Sequence, residues 1–137
     1  MQYQGKAPNQ GTHMQIDRTL VGEVLSIEPG HSATVELPLT SVMAADARGL
    51  VHGGFTFGLA DYAAMVAVND PYVVLGAATA KFLKPSEVGQ VLVAKAKVKG
   101  REGKKSSVVV EVFSQDQVKV FEGEFTCFSL PAHVLGE

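Results

Sequence analysis

A chain of 137 residues, 46% hydrophobic and 19% charged, is long enough for one packed core and too short for two. Its formal net charge of −2, with no arginine-rich or basic tract, excludes the electrostatic footprint of a nucleic-acid binder. The single cysteine, Cys127, excludes an internal disulfide or a multi-cysteine zinc site, and no run approaches the ~20 apolar residues that cross a bilayer.

The first dozen residues (MQYQGKAPNQGT) are polar, carry Gly and Pro, and lack the apolar centre of a signal peptide. Residues 1–18 therefore read as a flexible arm ahead of a single domain at 19–137, with a cytoplasmic location expected. Val21 to Ile27 is apolar and is followed by the turn signal Glu28-Pro29-Gly30. His31 to Leu39 then alternates Ala33, Val35 and Leu37 against Ser32, Thr34 and Glu36. That period of two predicts a hairpin of half-buried strands. Residues 40–51 mix short apolar pieces with Asp46, Arg48 and Gly49, and read as a connecting loop with room for one helical turn.

From Gly53 to about Val68 the spacing changes. Leu59, Ala60, Ala63, Ala64, Ala67 and Val68 recur at helical intervals, and Asn69-Asp70-Pro71 stops the helix. Its small side chains let a neighbour approach closely. Four strands follow, at Tyr72 to Phe82, Val91 to Lys99, Ser106 to Phe113 and Val118 to Leu130. They are separated by Leu83-Lys84-Pro85, by the turn Gly100 to Lys104, and by Gln115-Asp116-Gln117, loops too short for helical crossovers. In the 91–99 strand Leu92, Ala94, Ala96 and Val98 take one face, and Lys95, Lys97 and Lys99 take the other, a solvated sheet face. The fold class is α+β, with about six antiparallel strands in a curved sheet wrapped around one long central helix.

Chemistry concentrates in Val51-His52-Gly53-Gly54-Phe55-Thr56-Phe57-Gly58-Leu59-Ala60-Asp61. Two glycines at a helix start leave backbone N–H groups uncovered at the positive end of the helix dipole, a good place for an oxyanion. For a lone Gly-Gly pair, a tight turn in which glycine merely avoids a steric clash is the better reading. Asp61 is harder to explain structurally: it stands mid-helix among Leu59, Ala60, Ala63 and Ala64, where aspartate is a poor helix former and a buried carboxylate is costly. Gly53 and Asp61 are eight residues apart, or about 12 Å along one helix, of which the side chain recovers only a few ångströms. A reacting carbonyl needs its donor and its attacking group each within ~3 Å. The two residues then act on one carbon only when they come from different chains, which points to a homodimer with composite sites.

The run His52-Gly53-Gly54…Leu59-Ala60-Asp61, continued by Ala63-Ala64 and closed at Asn69, resembles the signature of hot-dog-fold acyl-CoA thioesterases of the phenylacetate-pathway (PaaI-like) type. Phe82-Leu83-Lys84-Pro85…Gly89 resembles the strand of that family that ends in an aromatic, a basic residue and proline, and the likeness extends over about residues 20–130. The resemblance implies an enzyme, a homodimer or homotetramer, that hydrolyses an acyl-CoA thioester without any cofactor, coenzyme A being part of the substrate. It implies that the Gly53 N–H polarises the thioester carbonyl and that Asp61 of the partner chain acts as general base or nucleophile. His52 and Gly54 complete the turn at the substrate. Where the family commonly carries Asn or Gln, six residues before the histidine, this chain has Asp46, which either tunes the base or caps a turn outside the site. Leu75 stands near a position where some relatives place a hydroxyl.

Phe55, Phe57, Tyr62, Met65 and Val68 are candidates for an acyl pocket, with Phe57 and Met65 foremost, and serve equally as core. Lys84, Arg101 and Lys104 are candidates for the phosphates of coenzyme A, with solvated surface charge as the alternative. His13, His31, His52 and His133 show no metal-ligand spacing. A non-catalytic acyl-CoA sensor on the same fold is the competing function. A hydratase ranks last, since its catalytic histidine would be paired with an acid.

Overall fold

In a computed structural model that describes residues 9–136, the order of elements is α1 (Arg18–Val21), β1 (Glu23–Glu28), β2 (Ser32–Pro38), a 3-10 turn (Ser41–Met43), α2 (Gly53–Val68), β3 (Val73–Phe82), β4 (Val91–Glu102), β5 (Lys105–Ser114) and β6 (Lys119–Ser129). The six strands form one antiparallel sheet in the order β1-β2-β4-β5-β6-β3, curved around α2, as expected of a hot-dog fold. The first strand begins two residues later than its apolar pattern predicts. Asp17 caps a single helical turn by accepting from the Thr19 N–H at 2.9 Å, and Gly22 ends that turn at φ 119, a conformation that L side chains rarely adopt.

Period-two alternation sets which face of each strand meets the helix. Ala33, Val35 and Leu37 on β2, Leu92, Ala94 and Ala96 on β4, Val108, Val110 and Val112 on β5, and Phe121, Phe125 and Cys127 on β6 are all buried. Lys95 and Lys97 point away from the core and are exposed. The helix is buried nearly all round, with Leu59, Ala60, Ala63, Ala64 and Ala67 at 0% exposure. Alanine on several sides of one helix is what allows strands to approach from several directions. Each large side chain buried here, such as Leu59 or Phe125, contributes about 1.5–3 kcal/mol by removal from water.

The C-terminal end of α2 is an anchor point. Asn69 takes the left-handed cap conformation at φ 62, and its N–H donates to the Met65 carbonyl at 2.8 Å. Its side chain accepts from the Gly11 N–H at 2.7 Å and donates to the Asn9 carbonyl at 2.6 Å. Of the stretch expected as an arm, residues 1–8 lie outside the described residues, whereas residues 9–13 run against α2, with Gln10 and Thr12 buried. Among the described residues, no helix is long and apolar enough to cross a membrane.

Strand β3 lies at the edge of the sheet, hydrogen-bonded to β6 alone, and most of its residues are exposed. Gly123 fixes how closely β3 approaches: a Cβ there would sit 2.6 Å from the Thr79 carbonyl oxygen and 3.2 Å from both Phe121 and Phe125 rings. Gly123→Ala is expected to destabilise the fold by about 1–3 kcal/mol, through forced displacement of backbone, as measured by urea unfolding.

Candidate active site

The Met43 carbonyl accepts from the His52 N–H at 3.0 Å, and the His52 carbonyl accepts from Phe55 N–H at 3.0 Å, so the chain turns into α2 at His52. His52 is the N-cap residue in an extended conformation, and its side chain makes no capping hydrogen bond. The ring instead lies across Gly54, where a Cβ would come within 2.8 Å of Nε2, and meets Phe55 edge-on at 6.1 Å. Gly54 is thus the space that the His52 ring occupies, and both residues shape the turn. Gly53 is the first residue of the helix proper, where no earlier turn offers its N–H a carbonyl. Phe82 covers it: the ring would meet a Gly53 Cβ at 3.4 Å. Beside it opens a cavity of about 240 Å³, bordered by Gly53, Thr56, Phe82, Lys84, Ser86 and Val120.

Asp61 lies two turns along the same helix and faces β6. Its Oδ1 is buried and has no hydrogen-bond partner. Removal from water pushes its pKa up from the ordinary 3.8 to about 6. On the strand beside it, burial pushes the Cys127 thiol up to about 12, and the Asp61 charge adds to that effect. The thiol therefore stays protonated and supplies no thiolate nucleophile. Leu75, half-buried, pairs with Cys127 across the β3–β6 ladder, so the carboxylate sits close to the exposed edge of the sheet. Gly53 and Asp61 do share one helix, and their separation of about 12 Å stands.

Other candidates separate. Phe57, one turn before Asp61, is half-buried and packs on Phe125 at 5.4 Å between ring centroids. Met65 is 1% exposed and belongs to the core, so in the protomer it presents no surface to a ligand. Asp46 is exposed and caps its own turn, where Oδ1 accepts from the Arg48 and Leu50 N–H groups at 3.0 and 3.2 Å. The three cations do not form one cluster. Lys84 lies beside Gly53, whereas Arg101 is ion-paired at 2.8 Å with Asp70, past the far end of a helix about 24 Å long, and Lys104 is in the adjoining β4–β5 turn. Sequence reasoning missed Cys127 under Asp61 and Phe82 over Gly53. Both contacts join residues distant in the chain, and only the strand register brings them to the helix.

The chain matches the Thioesterase superfamily over residues 48–121, which include the whole of α2 and β3. It is 48% identical over 127 residues to methylthioribose-1-phosphate isomerase of Aquifex aeolicus, covering 92% of this chain and 27% of that protein. It is 31% identical over 110 residues to transcription factor FapR of a Geobacillus species, covering 80% of this chain and 55% of that one. The chain therefore spans about a quarter of the first relative and about half of the second. Among solved structures, an uncharacterised protein of Pyrococcus horikoshii superposes with a TM-score of 0.88 at 53% identity, covering 92% of this chain and 95% of that chain. The E. coli PaaI protein from the phenylacetic acid degradation operon superposes with a TM-score of 0.70 at 28% identity, covering 77% and 80%. With a match over more than half of its length and this arrangement of helix and sheet, the chain belongs to the thioesterase superfamily, on a hot-dog fold of the PaaI-like type.

Proposed function

We propose that the protein is an acyl-CoA thioesterase working as a homodimer, with each site assembled from Gly53 of one chain and Asp61 of the other. The observation that carries this reading is the buried Asp61 Oδ1, which no group of its own chain hydrogen-bonds among the described residues. An unpaired buried carboxylate weakens a fold, and such a cost persists where chemistry needs it. The exposed β3 edge supports the second copy. Ten residues, rich in small side chains, leave a row of backbone groups open to another strand. An antiparallel copy of β3 brings the Phe82 end of one chain, with its Gly53, beside the Val73 end of the other, with its Asp61.

In that site the Gly53 N–H holds the thioester oxygen, and the helix dipole favours the charge that develops there. As general base, Asp61 takes a proton from water while the hydroxide adds to the carbonyl carbon. The tetrahedral intermediate then expels the CoA thiolate, which recovers the proton, leaving free acid and CoA. As nucleophile, the carboxylate adds to the same carbon and the C–S bond breaks to release the CoA thiolate; water then hydrolyses the anhydride to free acid and Asp61, and the proton released goes to the thiolate. Lys84, beside Gly53, is the cation best placed for the phosphates of coenzyme A. Asp46 enters the scheme only through the oxygen that its turn leaves free. A second reading, a regulatory module that binds acyl-CoA without turnover, draws on the similarity to transcription factor FapR. Binding of acyl-CoA with no release of thiol would favour it.

Either role requires ionised Asp61, so kcat/KM should rise with pH through about 6 and level above it. Asp61→Asn is expected to lower thiol release by about 10²–10⁴-fold. The same variant should melt higher than wild type at neutral pH. The folded state holds the proton more tightly than the unfolded chain, so the contribution of this group to stability is present below about pH 4 and is lost as pH rises through about 6. A higher Tm with lost turnover separates catalysis from folding; full turnover would sink Asp61 as the working residue.

Gly53→Pro tests the amide directly. Proline is tolerated at the first helical position, and the extended His52 (φ −62, ψ 130) suits a residue before proline. The variant should fold and lose about 10²–10³-fold in kcat through loss of one N–H. Mixing refolded Asp61→Asn and Gly53→Pro chains should restore about a quarter of wild-type activity, since half of the dimers are mixed and each carries one intact site. No recovery would place both groups in one chain.

A further inference from the structure

The cavity at Gly53 leaves the acyl group unhoused. A larger, open one, of about 510 Å³, lies between the N-terminal segment and the start of β3, bordered by His13, Met14, Ile16, Tyr72, Val73 and His133 among others. That volume falls within the range of about 300–1,000 Å³ typical of small-molecule sites. Val73 is two residues from Leu75, about 7 Å along β3, and Leu75 is the cross-strand partner of Cys127, which feels the charge of Asp61. A groove of about 530 Å³ on the outer face of β3, β5 and β6 competes in size, but Lys81, Glu111, Glu122 and Glu124 border it. Those charges do not suit an apolar chain, and the sheet separates them from Asp61.

The wall of the 510 Å³ cavity is built from the N-terminal segment, and specific bonds hold that segment in place. Asn69 grips Gly11 and Asn9 through its side chain, and Gln10 donates to the Tyr62 hydroxyl at 3.0 Å. Tyr62 directly follows Asp61, and the His13 ring lies 6.3 Å from it, centroid to centroid. His13 adopts φ 56, a left-handed conformation that costs a β-carbon residue roughly 1–3 kcal/mol. Its Nδ1 is 2.9 Å from the Thr12 hydroxyl, and Thr12 is itself buried. The following residues, Met14 to Ile16, line the cavity.

We propose that the cavity between residues 12–16 and the start of β3 receives the acyl chain of the thioester, and that this N-terminal segment sets which chain fits. The apolar border of Met14, Ile16, Tyr72 and Val73 suits a medium-length aliphatic or an aryl group. The proposal rests on the acyl-CoA reading of the site, and its test separates the two. Titration calorimetry in the Asp61→Asn background, which removes turnover, compares CoA, hexanoyl-CoA, octanoyl-CoA and phenylacetyl-CoA. Octanoyl-CoA should bind more than about 10-fold tighter than CoA, since each buried methylene contributes about 0.8 kcal/mol. Ile16→Trp fills the cavity from a position already 41% exposed, so the change does not disturb the core. It should erase that gain. Tyr72→Ala, which widens the same cavity, should move the tightest binding to a longer chain. A gain that survives Ile16→Trp, or octanoyl-CoA that binds no tighter than CoA in the parent, overturns the proposal. Thiol release by the wild type is scored separately. Chain-length-dependent binding without it would keep the cavity and discard the enzyme.

Discussion

Enclosure of one alanine-rich helix by one sheet is the constraint on which the rest of the structure depends. With Ala60, Ala63, Ala64 and Ala67 fully buried, strands pack against α2 closely, and almost none of its circumference is left for water. A charged residue on such a helix is tolerable only where the sheet ends. Asp61 acts electrostatically on Cys127, whose strand partner Leu75 is on the edge strand β3. The same burial that makes the carboxylate costly raises its pKa toward neutrality, so the packing itself sets its chemical character.

The other half of the proposed site is the start of the same helix. His52 turns the chain, Gly54 yields its side-chain space to the His52 ring, and Gly53 begins the helix with its N–H unclaimed by an earlier turn. Glycine is needed at 54 for steric reasons, while at 53 a Cβ would make only an ordinary contact with the Phe82 ring. These two halves lie on a single rigid element, so they cannot approach each other within a protomer. The proposed dimer through β3 would bring the two together between chains, and would cover an edge strand otherwise open to uncontrolled pairing.

Surface charge contributes less than its count suggests. Lys119 bridges Glu111 and Glu122, Lys99 meets Glu124, and Arg101 meets Asp70, so much of the outer face is internally compensated. Exposed pairs of this kind are screened by water and add little to stability. Lys84 differs from Arg101 in lying next to Gly53 and, among the described residues, in making no ion pair.

The sequence by itself determined the fold class, the helix and the two residues that carry the proposed chemistry. Alternation in His31 to Leu39 and Val91 to Lys99 encodes strand faces directly, because side chains on a strand point alternately to two sides. An aspartate amid alanines is visible without coordinates, because nothing local explains it. The sequence missed the short helix at Arg18–Val21, which Asp17 caps through the Thr19 N–H and hydroxyl, and it left Met65 open between acyl pocket and core and the three cations open between phosphate contacts and solvated charge. Only the tertiary structure buried Met65, put Arg101 and Lys84 at opposite ends of α2, engaged Asp46 in its own turn, and laid residues 9–13 against Tyr62 and Asn69. The physical reason is range. Periodicity and capping are set by neighbours within a few residues, whereas which groups share a pocket depends on strand register and on contacts some sixty residues apart, such as Gly11 with Asn69.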